Sequence, residues 1–167
     1  MQVAALPDNE SARLAALHEL LILDTPPEER FDKIAAFAAA EFDVPIATIT
    51  LVDTKRQWFK ARVGIEVQQT GRDVSFCSHA ILAPQIMVIP DALDDPRFAD
   101  NPLVTGAPFI RFYAGAPLTL PSGLRLGTLC LIDRRPRTLD ALELGIFGTL
   151  RDLVVMELVQ QEARADA

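Results

Sequence analysis

Residues 46–64, IATITLVDTKRQWFKARVG, decide the fold. Upstream of Ile46 apolar residues recur at helical spacing. From Ile46 the period drops to two, with Thr48 and Thr50 alternating against Ile49 and Leu51, which is the pattern of a strand. Asp53–Lys55 read as a turn and Arg56–Gly64 as the partner strand, so the first pairing is an antiparallel hairpin. Trp58 and Phe59 are adjacent on that partner and face opposite sides of the sheet. Which faces which depends on a register the sequence leaves open.

On the N-terminal side, residues 9–24 read as a helical segment, an amphipathic helix from Asn9 to Leu23 with Leu14, Leu17, Leu20 and Leu21 at helical spacing. A second start signal follows, with Thr25 as N-cap, Pro26 at the first helical position and Glu28 completing a capping box. That helix carries Phe31, Ile34, Ala35, Ala38 and Phe42 on one face and stops before Pro45. On the C-terminal side, CSHAIL reads as a short helix, IMVIP as a brief strand and DALDDPRFADNPLV as an irregular polar segment. A second hairpin joins IRFYAGAPLTL to LRLGTLCLID through Pro121, Ser122 and Gly123. Residues 138–164 close the chain as a long helix, with Thr138 as N-cap and Leu142, Ile146, Leu150, Leu153, Val154 and Leu158 as its apolar stripe.

Helices that flank hairpins give an α+β fold with a central antiparallel sheet, not a doubly wound one. The strands APLTL and LGTLCLI are apolar on both faces, as in a sheet covered on both sides. The terminal helices cover one face. The core segment 25–137 leaves only residues 72–109, polar and irregular, for the other, and a loop that long in a compact domain is a lid or binding wall.

A chain of 167 residues is expected to form a single domain, 1–167, that buries roughly 70% of its unfolded surface. The net charge of −7, with no basic patch, argues against nucleic acid and against anionic lipid. No apolar run reaches the ~20 residues of a membrane span, so no membrane insertion is expected. The two cysteines, Cys77 and Cys130, make no CxxC pair, and the first residues lack a secretory pattern. The expectation is a cytoplasmic protein with reduced thiols.

The blocks NESARLAALHELLILDTPPEERFDKIA, IATITLVDTKRQWFKARVGI, RDVSFCSHAI, DALDDPRFADNPLV, IRFYAGAPL and LGTLCLID together resemble a GAF domain. They resemble in particular the bacterial GAF modules found beside histidine kinase and diguanylate cyclase domains. The resemblance runs from about Asn9 to Glu162. It implies a GAF-like (profilin/PAS-like) sheet with terminal helices on one face and a pocket under a short helix and long loops on the other. It also implies a small-molecule sensor in two-component or cyclic di-GMP signalling, non-enzymatic, with an unknown ligand. Such a module acts as a homodimer through its terminal helices on a histidine kinase or diguanylate cyclase output domain. The cofactor is unknown: the NKFDE signature of cyclic-nucleotide-binding members is not evident, and the surroundings of Cys77 do not resemble a bilin attachment site.

The expected pocket set is Trp58, Arg72, Phe76, Cys77, His79, Asp91, Arg97, Arg111 and Tyr113. Cys77 and His79, two apart on a helix, point to different sides and form no nucleophile–base couple. Cys77 alone is the weak catalytic candidate. Free methionine-(R)-sulfoxide reductases of the GAF family place a cysteine much as Cys77 is placed. Their chemistry needs a resolving thiol, and Cys130 lies in a predicted central strand, away from where that family puts one. Asp91, Asp94, Asp95 and Asp100 are oxygen donors, but they read better as caps and as partners of Arg97 or Arg111 than as a metal site. Leu14, Leu17, Leu21, Leu150, Leu153 and Leu158 exceed what one sheet face requires and form the expected dimer interface. A duller alternative is a dimer scaffold whose pocket is filled by Phe76, Trp58 and Tyr113.

Overall fold

The computed structural model of the chain describes residues 1–166; Ala167, the last position of the expected domain, lies outside the described residues. Helices α1 (Glu10–Glu19) and α2 (Glu29–Glu41) precede strands β1 (Ile46–Val52), β2 (Arg56–Val63) and β3 (Gln69–Gly71). A connecting segment holds a three-ten turn at Arg72–Val74, helix α3 (Cys77–Ala80), strand β4 (Met87–Ile89), a second three-ten turn at Ala92–Asp94 and helix α4 (Pro102–Thr105). Strands β5 (Phe112–Thr119) and β6 (Arg125–Asp133) form the second hairpin, and α5 (Ala141–Asp166) follows. Among the described residues the strands form one six-stranded antiparallel sheet in the order β3-β2-β1-β6-β5-β4. The α+β reading is thereby shown. No helix among the described residues is long and apolar enough to cross a membrane.

Three helix boundaries differ from the sequence expectation. α1 ends before Leu21, whose φ of 54° takes it into the left-handed region. Thr25 is not an N-cap: two consecutive prolines force both Thr25 and Pro26 out of the helical region, so α2 waits for Glu29. The Thr25 hydroxyl donates instead to the Ile22 carbonyl and accepts from Lys60 Nζ at 2.8 Å. At α5 the capping box belongs to Asp140 and Glu143, each side chain accepting from the other's backbone N–H, and Thr138 lies outside it.

Alternation makes the two faces of the sheet chemically different. Ala47, Ile49, Leu51, Ala114, Ala116, Leu129 and Leu131 pack against α1, α2 and α5 in one apolar core. The helices meet that core with Leu17, Phe31, Ile34, Phe147, Leu150, Val154 and Leu158, and Arg30 on α2 ties α5 in place through Glu157 and Gln161. The opposite face presents Thr48, Thr50, Val52, Tyr113 and Cys130 to the connecting segment, where Phe76, Ile81, Phe98 and Val104 close a second core.

A bulge in β2 fixes the register that the sequence left open. Thr50 pairs with Phe59 and Ile49 with Ala61, so Lys60 is the extra residue. Trp58, opposite Leu51, therefore faces the helices, and Phe59, opposite Thr50, faces the connecting segment.

The two layers are clasped at one end of the sheet by a buried ion cluster. Arg13, fully buried on α1, donates to the Val52 carbonyl at 2.7 Å and pairs with Glu10 at 2.9 and 3.0 Å. The same carboxylate receives Arg72 at 2.5 and 3.2 Å, while Arg72 also donates to the Asp53 carbonyl at 3.0 Å. Burial alone would raise the Glu10 carboxyl; the two guanidinium groups outweigh it and hold the group down to about 2.

Candidate functional site

The site begins with a tightly wound stretch, Ser75–Ala80. The Ser75 hydroxyl accepts from the Ser78 N–H at 3.0 Å, and the Ser78 hydroxyl donates back to the Ser75 carbonyl at 2.8 Å. This reciprocal pair winds the single turn of α3 and points Cys77 at the sheet. Asn101 starts α4 by accepting from the Leu103 N–H at 2.8 Å and fastens it to Val74 O at 3.0 Å, while Arg111 donates to Val104 O at 2.9 Å near its end.

Between these walls and the sheet lies a cavity of about 270 Å³. Phe59, Ile65, Val67, Phe76, Leu103 and Ile110 give it apolar sides, with exposed Val67 and Ala107 at its mouth. Its lining also includes Thr48, Thr50, Gln57, Thr70, Cys77, Tyr113 and Cys130, and no charged side chain. Gln57 donates to Thr70 at 2.6 Å. Among the described residues no buried side-chain nitrogen or oxygen lacks a hydrogen-bond partner. The walls thus select by shape and apolar contact more than by free polar anchors.

The floor is a thiol–hydroxyl network. Cys77 Sγ and Cys130 Sγ are 3.2 Å apart. The Thr128 hydroxyl reaches them at 2.9 and 2.8 Å, and the Tyr113 hydroxyl at 3.3 and 3.5 Å. Tyr113 can lean over the sulfurs because its neighbour on that face is Gly115, where a Cβ would stand 2.3 Å from the phenol oxygen. Burial, then repulsion from the two sulfurs, pushes the Tyr113 phenol well above its ordinary range.

Of the nine expected pocket residues the structure brings three to this cavity: Phe76, Cys77 and Tyr113. Trp58 is a correction, since the β2 bulge turns it to the helix face, where it borders an open groove of about 470 Å³ with Asp24, Pro27 and Lys60. Arg72 is spent on Glu10 and Asp53, and Arg111 on backbone carbonyls, so neither offers a free guanidinium to an anionic ligand. Arg97 pairs with Asp95 at 2.8 Å over the Phe98 ring, and Asp91 caps the Ala92–Asp94 turn through the Leu93 N–H. His79 points away from Cys77, bonds to Gln2 O at 3.0 Å and packs against Phe98; burial lowers its pKa. Among the described residues no three His, Cys, Asp or Glu side chains are grouped to hold a metal ion.

Cys130, Thr128, Thr48, Thr50 and Phe59 were missed. A signal was present: T-I-T in β1 and T-L-C in β6 are both polar at alternate positions. Antiparallel pairing sets Thr48 opposite Cys130 and Thr50 opposite Thr128. Cys130 lies in a central strand, as expected, and that strand brings its sulfur to 3.2 Å from Cys77 Sγ.

An antiparallel sheet that separates a helical layer from a walled cavity defines the class of the protein as an α+β pocket fold. The chain belongs to the GAF domain family, whose profile, described as GAF domain, matches residues 26–158. It is 47% identical over 137 residues to a cyclic di-GMP phosphodiesterase of Pseudomonas aeruginosa, an alignment that covers 82% of this chain and 23% of that protein. The chain thus spans under a quarter of that relative's length. Among solved structures it is similar to the GAF domain of a phosphoenolpyruvate-protein phosphotransferase from Coxiella burnetii. The TM-score is 0.70 at 14% identity, over 96% of this chain and 100% of that one. It is also similar to a free methionine-R-sulfoxide reductase from Neisseria meningitidis, with a TM-score of 0.65 at 14% identity over 99% of each chain. At those identities the likeness is one of fold.

Tyr113 is the sole tyrosine, so its ionisation can be followed directly by ultraviolet absorbance. With its folded pKa raised, the neutral phenol's contribution to stability is complete below pH ~10 and is lost as the pH rises further. Phenolate absorbance is expected to appear together with unfolding. A phenolate formed near pH 10 with the fold intact contradicts the site's geometry.

Proposed function

We propose that the chain is a small-molecule-sensing GAF module that acts on a linked or partner output region involved in cyclic di-GMP turnover. The observation that carries this reading is the uncharged cavity held between the sheet and its cover. Such a lining suits a small neutral, largely apolar molecule and disfavours nucleotides and other anions, whose charge would be buried without a partner. The output assignment rests on the name of the Pseudomonas aeruginosa relative, of which this chain matches a fraction. That name is of a phosphodiesterase, which is neither of the two outputs the resemblance implied, histidine kinase and diguanylate cyclase.

Signal transfer through a homodimer is part of the same proposal, with an interface that shares only Leu153 with the expected one. Leu17, Leu150 and Leu158 are spent in the chain's own core, and Leu14 is half-buried. α5 carries a second stripe of Leu142, Ile146, Thr149, Leu153 and Met156, spaced four and three residues apart as in a coiled-coil seam, with Ile146 half-buried against the core and the others exposed. Leu142 is 74% exposed, Met156 58% and Leu153 42%, and Phe37 of α2 adds a further 54% exposed ring beside them. A second copy packed on this stripe covers apolar surface that a lone molecule leaves in water.

Thermal denaturation with neutral apolar and charged candidate ligands tests the sensing role. A cognate molecule at a hundred times its dissociation constant is expected to add about 2.7 kcal/mol. Stabilisation by charged metabolites alone contradicts the reading. For the interface, Leu153→Arg is expected to convert a dimer to a folded monomer in analytical ultracentrifugation. Leu150→Arg is expected to unfold the chain by burying an unpaired charge. A wild-type monomer, or a dimer indifferent to Leu153→Arg, overturns it.

A further inference from the structure

We propose that Cys77 and Cys130 form a redox-active dithiol, oxidised to an intramolecular disulfide by small apolar hydroperoxides that enter the cavity. The proposal rests on the sulfur pair and its surroundings and is independent of the signalling reading.

The two thiols come from elements far apart in sequence, α3 and β6, yet their sulfurs are 3.2 Å apart. A disulfide needs about 2.05 Å, so the sulfurs must approach by only ~1 Å. Cys77 rides on a single helical turn in the connecting segment, an element better able to shift than the central strand that holds Cys130. Both side chains are free thiols, nearly inaccessible from outside, and both line the cavity.

Two buried cysteines acting as small apolar filler need no polar neighbours. Here the hydroxyls of Thr128 and Tyr113 converge on both sulfurs, and Thr50 lies 3.6 Å from Cys130. These donors face the position where negative charge develops when a thiolate attacks a peroxide and an alkoxide departs. Burial pushes both thiols up. At Cys130 the hydrogen bonds from Cys77, Thr128 and Tyr113 outweigh it and bring the group below its ordinary range, whereas Cys77 stays well above. Because the central strand holds Cys130 in place while the single turn of α3 can carry Cys77 toward it, the attack falls to Cys130 and the resolving step to Cys77.

The chemistry balances without a further reactant. The Cys130 thiolate attacks the terminal oxygen of ROOH; an S–O bond forms and the O–O bond breaks. The departing alkoxide recovers, through the hydroxyl network, the proton that Cys130 gave up, and leaves as ROH. Cys77 then attacks the sulfenic sulfur; the S–S bond forms, the S–O bond breaks, and water leaves with the Cys77 proton. Two electrons pass from the thiol pair to the peroxide. The uncharged, apolar walls favour an organic hydroperoxide and disfavour charged oxidants and glutathione disulfide.

The test treats the reduced 167-residue chain with one equivalent of cumene hydroperoxide and maps its thiols by alkylation, intact mass and non-reducing digestion. The expected result is loss of both alkylatable thiols, an intact mass lower by two hydrogens and one cross-linked peptide joining Cys77 to Cys130. Cys77→Ser is expected to stop at a Cys130 sulfenic acid, trapped by dimedone. Thr128→Val is expected to slow oxidation about tenfold, the effect of one hydrogen bond to a charged sulfur. Persistence of both thiols in excess hydroperoxide, or cross-links only between chains, overturns the proposal. The map of the wild-type chain decides this even if a variant fails to fold, and it is read without any pocket ligand. Failure of ligand sensing therefore leaves it standing, and its own failure leaves ligand sensing untouched.

Discussion

The carboxylate of Glu10 holds the structure's two layers together. It receives Arg13 from its own helix and Arg72 from the segment that covers the pocket. Both guanidinium groups also donate to consecutive carbonyls where β1 enters its turn, Val52 and Asp53. A buried arginine is tolerable only when its charge is matched and its donors are used, and here one acid serves two. Removing it leaves the fully buried Arg13 without a counter-charge, at a cost of about 3 kcal/mol. The N-terminal helix and the pocket cover are thereby parts of one electrostatic unit, although they lie on opposite faces of the sheet.

That sheet has a division of labour written in its alternation. The helix face is alanine, leucine and isoleucine, packed without polar interruption. The pocket face carries threonines, a tyrosine and a cysteine, and it accepts a second cysteine from α3. Gly115 permits the tyrosine to reach the sulfurs, and the β2 bulge sends Phe59 to the cavity and Trp58 away from it. Binding, thiol chemistry and helix packing thus occupy one set of strands without competing for the same side chains.

Much of the architecture was legible in the sequence because hydrophobic period reports local conformation. The switch at Ile46, the two hairpins, the short helix at Cys77 and the closing helix all follow from spacing and turn residues. The site was less legible because it depends on register and on pairings distant in sequence. Trp58 was undecided between two faces until a bulge of one residue settled it. The sequence places Arg72 beside the pocket but does not show its acid, Glu10, which is 62 residues away. Cys77 and Cys130 lie 53 residues apart on a helix and a strand, and only the fold lays one over the other. Among the terminal leucines only burial separates Leu150 and Leu158, which face the core, from Leu153, which faces outward.

Glu10 joins the pocket cover and the N-terminal helix, so loosening one through that carboxylate loosens the other. Amide hydrogen exchange on the wild-type chain and on Glu10→Gln, under conditions where both remain folded, addresses it directly. Faster exchange is expected in the variant at Glu10–Glu19 and, together with it, at Arg72–Ala80, with the β5–β6 hairpin unchanged. Loosening confined to the helix, with the Arg72–Ala80 segment as protected as before, would contradict it.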